Sequence, residues 1–465
     1  TNSRLFLAIK DQLLQNMWKL TKRNSMLNCS NQKHTVTFEE ACQVFPGGVN
    51  SPVRACRSVG VTPPIVSSAQ GDIFLDTHGR EFIDFCGGWG ALIHGHSHPK
   101  IVKAIQKTAL KGTSYGLTSE EEILFATMLL SSLKLKEHKI RFVSSGTEAT
   151  MTAVRLARGI TNRSIIIKFI GGYHGHADTL LGGISTTEET IDNLTSLIHT
   201  PSPHSLLISL PYNNSQILHH VMEALGPQVA GIIFEPICAN MGIVLPKAEF
   251  LDDIIELCKR FGSLSIMDEV VTGFRVAFQG AQDIFNLSPD ITIYGKILGG
   301  GLPAAALVGH RSILDHLMPE GTIFQAGTMS GNFLAMATGH AAIQLCQSEG
   351  FYDHLSQLEA LFYSPIEEEI RSQGFPVSLV HQGTMFSLFF TESAPTNFDE
   401  AKNSDVEKFQ TFYSEVFDNG VYLSPSPLEA NFISSAHTEE NLTYAQNIII
   451  DSLIKIFDSS AQRFF

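Results

Sequence analysis

Short runs of consecutive apolar residues alternate along most of the chain with longer stretches whose apolar positions recur every three to four residues. The runs at Lys139–Ser144, Ser164–Phe169, Val229–Glu235, Leu264–Asp268 and Ile291–Tyr294 predict strands, and Thr147–Arg158 and Phe250–Phe261 predict helices. Each run is bounded by glycine, proline or polar turns. This alternation predicts an α/β fold whose central sheet is mostly parallel, with helices on both faces and ligands at the C-terminal ends of the strands. The last hundred residues change character. Long helical patterns at Phe351–Gln373, Asp405–Asn419 and Thr438–Phe457 flank a short strand at Met385–Phe390, which predicts a smaller α+β domain.

Composition sharpens that picture. The 465 residues are enough for two to four structural units, and a charged share of 17% favours a large buried interior over a disordered or coiled-coil chain. The net charge of −14 opposes non-specific nucleic-acid binding and fits a cytoplasmic protein. No apolar stretch approaches the roughly 18 residues of a membrane span. The seven cysteines are scattered without a C-x-x-C pair, so neither a disulfide framework nor a zinc ribbon is indicated. The first 25 residues carry Arg4, Lys10, Lys19, Lys22 and Arg23 against Asp11. They read as an extension preceding Met26, a docking helix, or a plastid-type transit peptide.

Several positions can carry chemistry. Ser145, Gly146 and Thr147 follow a strand and open a helix, where free N–H groups and the helix dipole favour an anion; an ordinary N-cap is the alternative. Asp268 ends an apolar strand, where it can pair with a cationic ring nitrogen, hold a metal, or cap a helix. Lys296 sits among apolar and glycine residues that lower an amine's pKa and make it a nucleophile or base. His94, His96 and His98 raise a metal reading, but their glycine and proline neighbours favour a loop. Tyr173 lies just past a strand, where its ring can stack on a planar group. Arg54, in the turn-rich P-G-G-V-N-S-P-V-R, can grip a carboxylate with two bonds or form a surface ion pair.

The ordered set H-G-H-x-H-P, S-G-T-E-A, Y-H-G-H, E-P, D-E-V-x-T-G-F-R, G-K-x-x-G-G-G-x-P and Q-A-G-T-x-S-G-N resembles the class III, fold-type-I aminotransferases that depend on pyridoxal phosphate. It runs from about Phe45 to about His437. Within that class, Phe45–Ala55, Ser145–Gly159, Gly171–Asp178 and the N-M-G after E-P resemble the glutamate-1-semialdehyde aminomutase family. A two-substrate ω-transaminase on the same core is the alternative.

The resemblance implies pyridoxal 5′-phosphate, cycling with pyridoxamine 5′-phosphate, and no metal. Lys296 would bond the cofactor and move protons, Asp268 would pair with its ring nitrogen, and Tyr173 would stack on the ring. Ser145, Gly146 and Thr147 would bind the phosphate, with Glu235 and Asn240 lining the pocket. Thr328 would reach the phosphate of a partner's cofactor, implying a homodimer. Ser51, Arg54, Trp89 and Glu429 would bind the substrate. The implied organisation is an extension at 1–34, a segment at 35–89 contributing to the substrate site, a cofactor domain at 90–333 and a small domain at 334–465. The stretch Leu180–Pro203 lacks a Gly/Ser-rich lid pattern, Ser144 replaces a family Asn, and Phe324 replaces a family Tyr.

Overall fold

A computed structural model describes residues 35–181, 184–185 and 206–457. The N-terminal 25 residues, and almost all of the stretch 180–203, therefore lie outside the described residues.

After a helix at Phe38–Val44, β1 (Val66–Gln70), β2 (Ile73–Asp76) and β3 (Glu81–Asp84) form a small antiparallel sheet. The central sheet then takes β4 (His138–Val143), β5 (Ile165–Phe169), β6 (Ile184–Ser185), β7 (Leu207–Leu210), β8 (Val229–Phe234), β9 (Leu264–Glu269), β10 (Ile291–Tyr294) and β11 (Ala305–His310). Its spatial order is β4-β11-β10-β9-β8-β5-β7-β6, and β11 alone runs against the others. The C-terminal part adds a three-stranded sheet of β12 (Ser378–Gln382), β13 (Met385–Phe389) and β15 (Asn431–Phe432). Between them in sequence, β14 (Val421–Tyr422) pairs in parallel with β3.

Helices cover both faces of the sheet, and the inner strands β8 (VAGIIF) and β10 (ITIY) are buried along their whole length. On one face the helix Gly146–Thr161 packs across β4, β11, β10, β9 and β8. Its Ala149, Ala153 and Ala157 are small enough to let it lie close to the sheet. On the other face Phe250–Phe261 brings Phe250, Ile254 and Leu257 to the sheet. That helix carries Asp252 and Asp253 in its first turn and Lys259 and Arg260 in its last, matching the helix dipole, and ends at Gly262 with φ +66°.

The termini share a core. Phe74, Phe82 and Phe85 from the N-terminal hairpin pack with Phe362, Phe412, Tyr413 and Phe417 from the C-terminal helices. The sequence reading missed β7 and β11, whose runs are short or alanine-rich, and the helix Pro99–Ala109 after His98. Among the described residues no helix is long and apolar enough to cross a membrane.

Candidate active site

The connections leaving β4, β5, β8, β9 and β10 converge on a cavity of about 400 Å³ at one end of the sheet. Ser145, Gly146, Thr147, Tyr173, Glu235, Asn240, Asp268 and Lys296 all line it. Residues scattered over 150 positions of sequence thus meet because each follows the C-terminal end of its own strand.

Lys296 immediately follows Gly295 after β10 and adopts φ +47°, an unusual conformation for a residue with a side chain. Burial pushes its amine below the usual lysine range. The carboxylates of Glu429, Glu235 and Asp268 work against that shift, while the cation of Arg275 adds to it. The result is an amine biased toward its neutral, nucleophilic form.

Asp268 lies at the end of β9 with 5% of its surface exposed. Its Oδ1 accepts from the Val270 amide at 3.1 Å, and its Oδ2 is 2.7 Å from His174 Nδ1. With the carboxylate as acceptor, His174 donates from Nδ1, and among the described residues its buried Nε2 has no hydrogen-bond partner. The sequence reading held His174 within the Y-H-G-H motif of the resemblance and gave it no role of its own, so its contact with Asp268 was missed. The signal was available: a histidine next to the stacking candidate Tyr173, just past a strand.

Glu235 is a tie between loops. Its two oxygens accept from the amides of Tyr173 (3.0 Å) and Ala239 (3.0 Å) and from Asn240 Nδ2 (2.8 Å). Burial raises its pKa from the usual carboxylate value. It therefore fastens the Tyr173 loop to the turn after β8. Tyr173 itself keeps about half its surface exposed within the cavity, so one ring face is open to a planar partner.

The two readings of Ser145 turn out to be compatible. Its hydroxyl caps the helix by accepting from the Glu148 amide at 3.2 Å, and Glu148 in turn accepts from the Ser144 amide at 2.8 Å. This leaves the Gly146 and Thr147 amides at the helix start aimed at the cavity, an anion cradle. Gly175, at φ +87°, closes the cradle: a Cβ there would sit 2.5 Å from Thr147 Oγ1. These features fit a phosphorylated pyridine: an anion site, an acidic partner for a ring nitrogen, an amine and an open aromatic face.

Glu429 acts on Lys296 more strongly than any other charge, and its own carboxyl is pushed up to about 7 by burial, opposed by Lys296 and reinforced by Glu235. Trp89 sits on a turn packed against the segment Lys296–Gly299. Neither Glu429 nor Trp89 lines the cavity itself, and three further predicted residues lie elsewhere. Ser51 and Arg54 belong to an exposed turn whose residues do not line the Lys296 cavity. Arg54 lines a second cavity with Phe38 and Val44, and among the described residues its guanidinium makes no hydrogen bond or ion pair. Thr328 is exposed beside a third cavity, of about 610 Å³, with Ser114 and Thr118. The histidine triple splits among three partners: His94 Nε2 meets Ala342 O at 2.9 Å, His96 Nε2 meets Asp84 at 2.7 Å, and His98 caps the helix Pro99–Ala109. Among the described residues no cluster of three or more His, Cys, Asp or Glu is arranged to hold a metal.

A raised carboxyl pKa gives a signed pH effect. Glu429 holds its proton more tightly folded than unfolded, so it costs stability as pH rises from its ordinary value near 4.5 to about 7. Glu429→Gln is therefore expected to match the parent in thermal melts at pH 4 and exceed it at pH 8, by about 1–2 kcal/mol after allowance for partial exposure. Equal stabilities at both pH values would mean that Glu429 is not strained in the folded protein.

The class is now defined. The class-III aminotransferase model matches residues 56–447, and the chain belongs to that family. Over 429 residues it is 58% identical to the glutamate-1-semialdehyde 2,1-aminomutase of Chlamydia felis, covering 91% of this chain and 98% of that one. Among solved structures it is similar to an ω-transaminase from Sphaerobacter thermophilus (TM-score 0.81, 24% identity, 91% of this chain and 98% of that one). A glutamate-1-semialdehyde aminomutase from Pseudomonas aeruginosa matches with TM-score 0.79 and 23% identity, over 90% of this chain and 94% of that one. These two structures share the fold-type-I architecture of the chain.

Proposed function

We propose that this chain is an isomerase that converts glutamate-1-semialdehyde to 5-aminolevulinate by moving an amino group within one molecule, a step toward tetrapyrroles. The observation that carries the reading is the 58% identity to a curated aminomutase over nine-tenths of the chain, with the reactive residues gathered in one cavity.

Bound pyridoxal 5′-phosphate, exchanging with its pyridoxamine form, supplies a carbonyl carbon for the amine and a ring that takes up electrons from the neighbouring carbon. The protein supplies the rest. Gly146 and Thr147 hold the phosphate with backbone amides, and Ser145 keeps the helix end rigid. Asp268, oriented by His174, holds a proton at the ring nitrogen. Tyr173 would cover one ring face, with Glu235 and Asn240 fixing its loop. Lys296, biased toward neutrality, is the base that carries a proton between substrate carbons.

Ser51, Arg54, Trp89 and Glu429 are assigned to the substrate. Arg54 is given the substrate carboxylate on the resemblance, since it lies outside the Lys296 cavity; among the described residues its guanidinium makes no hydrogen bond or ion pair. The reading divides the chain into a cofactor domain at 90–333 flanked by terminal parts, and puts it in the cytoplasm. A second copy of the chain is assigned to the surface around Thr328, where Leu117 and Phe324 are 80% and 63% exposed. A monomeric mass at full turnover would refute that pairing.

The test is incubation of the pyridoxamine-phosphate-loaded protein with glutamate-1-semialdehyde and no other amine donor or acceptor. Formation of 5-aminolevulinate over many turnovers is expected. Product that appears only when a second amine is added would assign the chain to the two-substrate transaminases instead.

A further inference from the structure

Arg275 is one of the most deeply buried large side chains in the protein, at 1% exposure, and among the described residues it has no carboxylate partner. Its guanidinium is spent on neutral acceptors: Nη2 donates to Gly90 O at 2.8 Å, and Nη1 to Thr384 Oγ1 at 3.0 Å and Ile433 O at 3.3 Å. Burying a cation on such terms is costly, and its pKa falls to about 10 through desolvation.

The group it grips is unusual. Gly87, Gly88, Trp89 and Gly90 have successive φ values of +51°, +61°, +60° and +83°, a left-handed turn with one bulky residue in it. Chains of L-residues do not hold such a turn unaided. One end is fixed by Asp84, whose Oδ1 accepts from the Cys86 and Gly87 amides at 2.9 and 3.1 Å. The other end is fixed by Arg275 at Gly90 O. Phe432 fills the space beneath: its ring lies 4.8 Å from the Arg275 guanidinium carbon and 5.9 Å from Lys296 Nζ, and a Cβ on Gly90 would meet it at 2.9 Å.

We propose that Arg275 is a positioning residue: it clamps the left-handed turn that carries Trp89 and, through Phe432, keeps that turn in register with Lys296. This rests on the Lys296 cavity being the reactive site. An arginine suits the task because its planar fork reaches three acceptors while one face stacks on the ring; a lysine has a single point of attachment.

The chain has two tryptophans, Trp18 and Trp89, so Trp18→Phe leaves Trp89 as the only indole reporter. In that background Arg275→Met and Arg275→Lys are compared with the parent by Trp89 emission and acrylamide quenching, with folding checked by far-UV circular dichroism. Both variants are expected to increase the quenching constant about twofold, and to raise KM about tenfold with a less than threefold change in kcat. Phe432→Leu, which leaves Arg275 in place, is expected to shift the same signals by a smaller amount. Should Arg275→Met fail to fold, the lysine variant and Phe432→Leu carry the test. Unchanged Trp89 quenching in folded Arg275→Lys and Phe432→Leu would overturn the proposal. The fluorescence readout needs no turnover, so a failure of the aminomutase reading is seen separately, in the absence of product from the parent.

Discussion

Lys296→Ala is expected to abolish 5-aminolevulinate formation, by about four orders of magnitude or more, while the protein still melts cooperatively within about 1 kcal/mol of the parent. The first half follows from the site. Among the described residues Lys296 is the one amine lining the cavity, and burial lowers its pKa, so its removal takes away the only amine placed for the proton transfer. The second half follows from packing. The lysine is half-buried against an existing cavity of about 400 Å³ rather than wedged in a core, so truncation widens open space and relieves a desolvated amine. The strained φ of +47° is borne equally by alanine. Product assays and thermal melts on the same preparation check both halves. Turnover above roughly one-hundredth of the parent's would remove Lys296 from the chemistry.

The next largest effect is expected at the Asp268–His174 pair. Asp268→Asn removes the charge proposed to hold a proton on the ring nitrogen and is expected to lower kcat by roughly 10²–10³-fold. His174→Phe keeps the carboxylate but deletes the 2.7 Å contact that aims it, and is expected to cost less, about 10-fold to 10²-fold. The ordering is the test. If His174→Phe proved as damaging as Asp268→Asn, the histidine would be acting on the reaction directly through its free Nε2 and not through Asp268. Measuring kcat and KM separately for both variants decides it.

Much of this site was legible in the sequence because its parts are local. An apolar run followed by an acid, as in Leu264–Asp268, or by Ser-Gly-Thr at a helix start, states both the strand and what stands at its end. The helices Phe250–Phe261 and Phe351–Gln373 and the strand Ile291–Tyr294 were read to the residue for the same reason. What was not legible depends on pairings distant in sequence. The antiparallel β11 is an alanine-rich run made a strand by β4 and β10 on either side. His174 has no meaning without Asp268, 94 residues away. Arg275 read as part of a motif, and only its reach to Gly90, 185 residues back, shows what it holds. Arg54 shows the converse: a turn signal located its segment correctly, but the local pattern contained nothing about which cavity the side chain would line.

The shared core of the two termini bears on how the chain is made. The Phe82 and Phe417 rings meet at a tilt, their centroids 5.1 Å apart across a sequence separation of 335 residues. On a ribosome adding about 5–20 residues per second, the N-terminal hairpin waits roughly 20–70 s for those partners, with Phe74, Phe82 and Phe85 uncovered. The central sheet can assemble during that interval, since every strand it needs lies between His138 and His310. The Gly87–Gly90 turn cannot, because Phe432 and Ile433 arrive long after those strands. Synthesis therefore yields the sheet that carries Lys296 first and the finished Trp89 turn only late in the chain.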